Sequence, residues 1–436
     1  MNILVKWPTR GCAAGLSDRI ADWKQRQSGW HDVRYLFTPD ADDTATVDAL
    51  HDLQAFSIVA PERGKIAACN HGLACPLENF PDWEGPWKWD LLVLASDDMR
   101  PEVWGWDDVV ARAMAWHFPA LDGLLHFPDG FTAHEKFVTL PIMGANFWRR
   151  FGYVYQPEYA SLCCDLEQTE VSRTLSKLAY IDLPIFQHRW RGTLPGAKED
   201  RTLTCNEALH ARDKITYIRR KTASFGLARP VLSILIPTMD CRRQTATVLF
   251  AELYRQIWAM GDGHWQVEIH TLLDEKRYTV GEKRKMLLSR ARGEYVAFVD
   301  DDDRVAPDYI ESILAAIKSS PRVDCVVFQG EFRQDGGAPA IFDFDLKYRF
   351  YRNTPGIMER TPNHLCPVRE DLARRIGFGS QNYGEDTDYA RRLRPMLRTQ
   401  AVCRDADGRK KTLYFYDFSP ANSQTQGAGR RPEVAR

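Results

Sequence analysis

The stretch Glu294-Tyr-Val-Ala-Phe-Val-Asp-Asp-Asp-Asp303 restricts the fold of this chain more than any other. An apolar run of strand length ends in four consecutive carboxylates, and a helix-like segment follows Arg304. Four acids on one strand tip repel one another and cost stability unless a cation neutralises them. A hard divalent ion carrying a diphosphate suits that place, because Mg²⁺ and Mn²⁺ take carboxylate and phosphate oxygens together. A weaker version occurs earlier, in Trp89-Asp-Leu-Leu-Val-Leu-Ala-Ser-Asp-Asp98-Met. The chain is therefore expected to hold two sites of one chemical kind.

The surroundings of the two acid tips repeat as well. In the first half, strand Ile3–Trp7 meets the turn Pro8-Thr9-Arg10-Gly11, and strand Val33–Thr38 runs into Asp40, Asp42 and Asp43. Gly64-Lys65-Ile66 then opens a helix, and strand Asp90–Ala95 precedes Asp97 and Asp98. In the second half, strand Val231–Ile236 meets Pro237-Thr238 and strand Gln266–Leu273 ends at Asp274. Gly281-Glu-Lys-Arg284 opens a helix, and Glu294–Val299 delivers the acids. Apolar strands alternating with helices, with acids at strand C-termini, predict an α/β chain of two parallel, Rossmann-like sheets whose ligand crevice lies at those carboxyl ends. Setting Arg100 under Arg304 puts Asp98 on Asp302 and Asp97 on Asp301. Further on, Leu166-Glu167-Gln168 falls on Gly384-Glu385-Asp386, a drift that loop insertions absorb. A tandem duplication explains this register. The boundary is placed near Ala228, giving a domain over 1–228 that ends in a linker helix over Leu209–Thr222, a second over 229–423, and a disordered tail over 424–436. Gly192, Pro195 and Gly196 mark a break inside the charge-rich Arg189–Pro230 stretch.

At 436 residues the chain is long enough for two cores. A formal charge of −1 argues against a general electrostatic grip on nucleic acid. No window approaches the roughly 18 apolar residues that span a bilayer, and Met1–Pro8 reads as a strand rather than a secretion signal. Ten cysteines without a Cys-x-x-Cys spacing are read as reduced, mostly buried thiols in a cytoplasmic protein.

The second half resembles family 2 glycosyltransferases with the GT-A fold. Ser233-Ile-Leu-Ile-Pro-Thr looks like that family's opening strand, Val299-Asp-Asp-Asp-Asp303 like its DxD metal motif, and Gly384-Glu-Asp-Thr-Asp-Tyr like the motif that supplies its catalytic base. The first half resembles a divergent GT-A domain of bacterial and phage glycosyltransferase-like proteins. It does so through Lys6-Trp-Pro-Thr-Arg10, Leu94-Ala-Ser-Asp-Asp-Met99, His126-Phe-Pro-Asp-Gly130, Cys164-Asp-Leu-Glu167 and Phe186-Gln-His188. The resemblance implies two GT-A domains in tandem, working in the cytoplasm of a bacterium or a phage-infected host.

What the resemblance implies chemically is a UDP- or GDP-linked sugar as donor, Mn²⁺ or Mg²⁺ as cofactor, and a glycan hydroxyl as acceptor. A modified DNA base carrying a hydroxymethyl group is the alternative acceptor. A sugar leaving its nucleoside diphosphate needs the phosphate charge stabilised, which a metal on strand-end carboxylates does. In the second half Asp302 is expected as metal ligand and Asp300 as a ribose- or metal-facing partner. Asp274 takes the position where the family reads the nucleobase, and Lys283 and Arg284 suit base and phosphate contacts at a helix start. Asp386 is the general base by resemblance, giving inversion, with Glu385 orienting acceptor or base. His364 is expected on the acceptor side and is equally readable as a structural histidine.

The first half departs from this pattern. Ser96 and Met99 stand where the second half has acids, so Asp97 is expected at the donor and Asp98 at the metal. Gln168, opposite Asp386, accepts no proton. Either Asp165, beside Glu167, has become the base, or this half no longer catalyses and only binds acceptor. Asp165 and Glu167 are equally readable as a helix cap and a first-turn acid. His188 matches the late histidine that completes the metal site in many GT-A enzymes, with Asp417 at the comparable place in the second half. Asp40 and Lys65 are the matching donor-site residues. The tryptophans at 83, 87, 89, 104 and 106 are read as packing rather than sugar-stacking groups. The turn Pro237-Thr-Met-Asp lacks the Gly-rich, basic loop of a nucleotidyltransferase. The expected activity is sugar transfer, once or in two successive steps.

Overall fold

The computed structural model describes residues 1–78, 85–130, 137–189, 201–354 and 356–418, with backbone alone at 201–208. Trp83, the expected break at Gly192–Gly196 and the tail over 424–436 lie outside the described residues. The chain divides into two compact units, Met1–Leu227 and Ala228–Arg436.

The first unit contains β1 (Asn2–Thr9), β2 (Asp32–Pro39), β3 (Leu91–Leu94), β4 (Met99–Pro101), β5 (Leu124–His126), β6 (Ile142–Gly144), β7 (Leu178–Tyr180) and β8 (Phe186–His188). Six of them form a sheet in the order β2-β1-β3-β6-β5-β7, and β4 pairs separately with β8. All neighbours in the large sheet run parallel except at β6, which is antiparallel to both β3 and β5. Covering a sheet on both faces demands strands without a wet side, and β1 meets that demand. Ile3, Val5 and Trp7 enter one buried cluster with Trp23 and Trp106, while Leu4 enters another with Leu36, Leu92 and Trp89. Lys6 is fully buried in the same strand. Its ammonium donates to the Thr38 hydroxyl and, at 2.5 Å, to the His71 carbonyl, and burial pulls its pKa down to about 7.

The second unit contains β9 (Leu232–Met239), β10 (Val267–Asp274), β11 (Tyr295–Phe298), β12 (Arg304–Val305), β13 (Cys325–Val327), β14 (Gln329–Gln334), β15 (Ala340–Phe344), β16 (Arg352–Thr354), β17 (Ile357–Arg360), β18 (Val368–Arg369), β19 (Gln400–Val402) and β20 (Thr412–Phe418). Its central sheet runs β10-β9-β11-β18-β13-β19, with β18 as the antiparallel member. Ranked by chain position, both central sheets have the order 2-1-3-5-4-6 with the reversed strand in the same place. In both units the short strand after the acid tip pairs antiparallel with the unit's last described strand, β4 with β8 and β12 with β20.

Two expectations need correction. The sheets are mixed rather than wholly parallel, because β6 and β18 are strands of two or three residues with too little pattern to carry a direction. A further sheet, β12-β20-β14-β15-β17-β16, was not anticipated. Its members carry many polar residues without a continuous apolar run, as in Gln329-Gly-Glu-Phe-Arg-Gln334, and are only partly buried. The linker helix is also longer than expected, running from Arg201 to Thr222. Trp87, Trp89 and Trp106 are core residues as expected, whereas Trp104 is 68% exposed.

The helix Val280–Arg290 approaches the segment 379–381 so closely that only glycine fits at 281. A Cβ there would lie 1.8 Å from the Gly379 carbonyl oxygen, and the Gly281 amide donates to the Gln381 carbonyl at 3.1 Å. Gly281→Ala is expected to lower the unfolding free energy of the second unit by about 2 kcal/mol or more. Urea denaturation checks this, and a loss under about 0.5 kcal/mol would show that the helix and the segment do not meet.

Candidate functional site

Beyond the end of β11 the acid tip forms a tight turn, in which the Asp303 amide donates to the Asp300 carbonyl at 3.2 Å. Asp301 and Asp303 turn inward. Asp301 accepts from the Thr238 hydroxyl at 2.6 Å and from Arg242 at 2.9 Å, and Asp303 accepts from the Tyr414 hydroxyl at 2.6 Å. Asp300 and Asp302 keep about a third of their side chains open to solvent. Arg284 donates to Asp300 at 3.0 Å, and His364 Nε2 lies 3.8 Å away. Although burial opposes it, Arg284 and His364 hold Asp300 far below the usual carboxylate range. Asp302 has Arg242 at 3.0 Å, yet burial and the neighbouring Asp300 and Asp301 push it up to about 6. Asp301 and Asp303 are also raised, chiefly by burial.

The acid tip thus holds more negative charge than its own cations balance, which fits a divalent ion. Asp302 and Asp300 are the carboxylates that face outward to hold one. Among the described residues no group of three or more His, Cys, Asp or Glu side chains is arranged to hold a metal. The remaining positions of a six-coordinate shell would fall to phosphate oxygens and water.

Asp274 ends β10 and accepts from Lys283 at 2.8 Å and from the Tyr278 amide at 2.8 Å. Burial opposes its ionisation, but these donors keep it below the usual range. Lys283 also donates to the Thr238 carbonyl at 3.1 Å, so it braces the first strand as well as meeting Asp274. Arg284 is buried over the rings of Phe298 and Phe378, with Nε and Nη1 lacking hydrogen-bond partners among the described residues. Its Nη1 lies 3.6 Å from Glu385, whose carboxyl burial pushes up. Glu385 therefore faces Arg284. Asp386 is the second residue of the helix Glu385–Leu393, half-buried, with one oxygen on the Thr387 amide at 2.7 Å and the other making no hydrogen bond among the described residues. Arg284 thus ties the metal-facing Asp300 to the helix that carries the candidate base.

The first unit repeats much of this with different side chains. Asp97 accepts from the Thr9 hydroxyl at 3.0 Å and from Trp7 at 3.0 Å, the counterpart of the Thr238–Asp301 bond. That corrects the donor-binding reading of Asp97: it is an inward anchor. Asp98 points to His188, 3.1 Å from Nε2, and takes the Ser96 hydroxyl at 2.6 Å. His188 Nδ1 lies 3.5 Å from Asp129, and although burial works against it, Asp129 and Asp98 raise the imidazole to about 9. His188 is thus held between two carboxylates, with Asp98 at Nε2 and Asp129 at Nδ1. Asp40 directly follows β2 much as Asp274 ends β10, but its cation is Arg10 at 2.7 Å. Lys65 sits over the Tyr155 ring. Burial lowers its pKa, but Cys164, Asp165, Cys69 and Asp98 lift it above its usual value, so it answers to Arg284.

The helix starts correct the predicted register. Cys163 and Gly384 are both in the left-handed conformation immediately before their helices, with φ of 62° and 77°. This sets Asp165, not Gln168, opposite Asp386, and Asp165 likewise accepts from the next amide, Leu166, at 2.9 Å. Gln168 spends its amide on the Val154 carbonyl at 2.5 Å. Glu167 is no catalytic group either: Arg220 grips it through Nε and Nη2 at 2.7 Å each, and the Tyr159 hydroxyl donates at 2.7 Å. In the second unit, Tyr416 falls at the place of His188, one step along the register Arg304↔Phe415. Asp417 is instead spent on an exposed ion pair with Arg304 at 2.7 Å.

Sequence reasoning missed Arg242, Tyr414 and Asp129. Arg242 follows the first strand's turn and Asp129 lies in the quoted motif His126–Gly130, so each had a positional signal. Tyr414, in an alternating aromatic strand, had none.

Comparison with known proteins bears on the second unit. The family described as Glycosyl transferase family 2 matches residues 259–369. This span holds Asp274, Lys283, Arg284, Asp300–Asp303 and His364, whereas Glu385 and Asp386 lie beyond it. The second unit thus carries a family 2 glycosyltransferase domain. No curated protein matches the chain. Among solved structures, S. aureus TarS 1–349 in complex with UDP-GlcNAc is 17% identical over 43% of this chain and 58% of that one, with a TM-score of 0.31. The mannosyltransferase PcManGT from Pyrobaculum calidifontis, in complex with GDP-Man and Mn²⁺, is 16% identical over 42% of this chain and 54% of that one, with a TM-score of 0.30. The chain spans less than two thirds of either, and similarity of this size transfers neither ligand.

The raised Asp302 has a pH signature. A carboxyl whose folded pKa lies above its unfolded value favours folding at low pH and loses that contribution as pH rises through about 6. Asp302→Asn is therefore expected to stabilise the metal-free protein at pH 7 by about 1 kcal/mol, after allowance for solvent screening. The advantage should fade between pH 6 and 4, as thermal melts across that range will show. Mn²⁺ binding by the second unit, followed by calorimetry, should weaken about tenfold per pH unit below that pKa, since the ligand must be ionised.

Proposed function

We propose that the second unit transfers a glycosyl group from a nucleoside diphosphate sugar to an acceptor hydroxyl, with inversion at the anomeric carbon. The observation that carries this reading is the link through Arg284, which joins the outward carboxylate Asp300 to the helix start bearing Asp386. Asp274 and Lys283 at the neighbouring strand end receive the nucleoside. Asp302 and Asp300 face the diphosphate, where a bound Mn²⁺ or Mg²⁺ supplies Lewis-acid stabilisation of phosphate charge. Arg284, a buried guanidinium with unpartnered N–H groups, offers fixed donors where negative charge grows. Asp386 takes the proton of the acceptor hydroxyl, the new C–O bond forms at the anomeric carbon, and the electron pair of the broken bond leaves on the diphosphate.

The first unit we read as a second GT-A-type domain with a donor site of its own, so that the protein carries out two successive transfers. The shared strand order, the Thr9–Asp97 bond and the position of Asp165 favour this over a module that only binds acceptor. UDP- and GDP-linked sugars are the donors to test, with a glycan hydroxyl as acceptor.

A screen of sugar nucleotides with Mn²⁺, scored by diphosphate release, tests the proposal. Asp386→Asn is expected to lower kcat by about 10²–10⁴-fold with donor affinity kept. Asp302→Asn should weaken donor and Mn²⁺ binding together. His188→Ala and Asp165→Asn should remove a second transfer that Asp386→Asn leaves intact. If no sugar nucleotide binds and none is cleaved, the reading fails.

A further inference from the structure

The helix Arg201–Thr222 lies just before the second unit begins, and its buried face meets the segment that carries Asp165. Asp213 on this helix is fully buried, and its hydrogen bonds go to three consecutive amides. Ala160 donates at 2.9 Å, Ser161 at 2.8 Å and Leu162 at 2.7 Å. The next residue is Cys163, whose left-handed conformation turns the chain into the helix beginning Cys164-Asp165. On the far side of Asp165 the same long helix takes hold again. Arg220 grips Glu167 with two nitrogens and Glu158 at 2.8 Å, while Tyr217 and Lys221 both meet Glu170. In the second unit the corresponding approach to Asp386 is held differently, by the Val280 and Gly281 amides on Asn382 and Gln381.

We propose that Asp213 is a positioning residue for Asp165, so that the last long helix of the first unit is a working part of the first site rather than a spacer. Three successive N–H groups turned towards one acceptor form a concavity suited to an anion. Here the anion is a side chain supplied by the helix. A carboxylate satisfies all three donors, whereas an amide in its place offers one acceptor oxygen and turns an NH₂ group towards N–H groups. The inference rests on the reading of Asp165 as a base, and its test separates the two.

The test is Asp213→Asn in the full-length protein. Hydrogen exchange of the amides from 160 to 166 should speed at least about tenfold while β1 and β3 stay protected, reporting the lost hold on this segment. Diphosphate release from the sugar nucleotide accepted by the first unit, identified as the portion abolished by Asp98→Asn, should fall in kcat about tenfold with donor KM unchanged. Arg220→Lys, which keeps the charge and loses the fork, should act in the same direction from the other side and serves if Asp213→Asn does not fold. Unchanged exchange at 160–166 would overturn the proposal, and so would faster exchange with unaltered kcat. If the wild type shows no Asp98-dependent release at all, the catalytic reading of the first unit falls, and the exchange result alone decides whether Asp213 holds the segment.

Discussion

A threonine hydroxyl at the end of the first strand bonds to an aspartate three residues past the third strand, and much else in each unit follows from that bond. Thr238 meets Asp301, and Thr9 meets Asp97. Each bond anchors one carboxylate of a tight turn, closed by the Asp303 amide on the Asp300 carbonyl in one unit and by the Met99 amide on the Ser96 carbonyl in the other, and the next carboxylate, Asp302 or Asp98, stays partly open to solvent. The cost of crowded charge is met locally, by Arg242 and the Tyr414 hydroxyl in the second unit and by His188 in the first. These solutions differ in kind. The second unit keeps a surplus of negative charge, whereas the first brings an imidazole whose proton a metal would have to displace.

The likeness of the two units is clearest in backbone features and weakest in side chains. Strand order, the reversed strand and the left-handed residue before the base helix are shared. Glu385 is matched by Cys164, Arg284 by Lys65, Lys283 at Asp274 by Arg10 at Asp40, and Tyr416 by His188. A fold sets where the ends of strands and helices come together, and what is attached there is free to vary. The two sites are therefore expected to differ in the sugars and nucleotides they accept even where they share a mechanism.

Much of this was legible in the sequence, for identifiable reasons. Strands buried on both faces leave long apolar runs, so β1, β3, β9, β10 and β11 were found within one to three residues at each end. The acid tips were legible because four carboxylates in a row have no place inside a core. The mixed direction of the sheets was not, since β6 and β18 are too short to show a pattern. Nor was the register at Asp165. Matching Glu167 to Glu385 aligned like with like, but Glu167 is acidic because Arg220 needs a partner, 53 residues away in sequence. A side chain's chemistry does not reveal whether it serves a substrate or a neighbouring helix, whereas a backbone turn such as Cys163 does reveal where a helix begins.

Tyr414 donates to Asp303 and receives the Asp300 amide, so one phenol closes the acid loop from both ends. It lies 111 residues after Asp303. During synthesis on the ribosome the four carboxylates emerge long before the group that seats them, and the central strands are made while the loop above them is still open. Since chains elongate at about 5–20 residues per second, that interval lasts several seconds. When it begins the nascent unit has β9, β10 and β11, half of its central sheet, beneath an unsettled anionic rim. Repulsion within that rim favours solvent over packing until Tyr414 arrives to seat it.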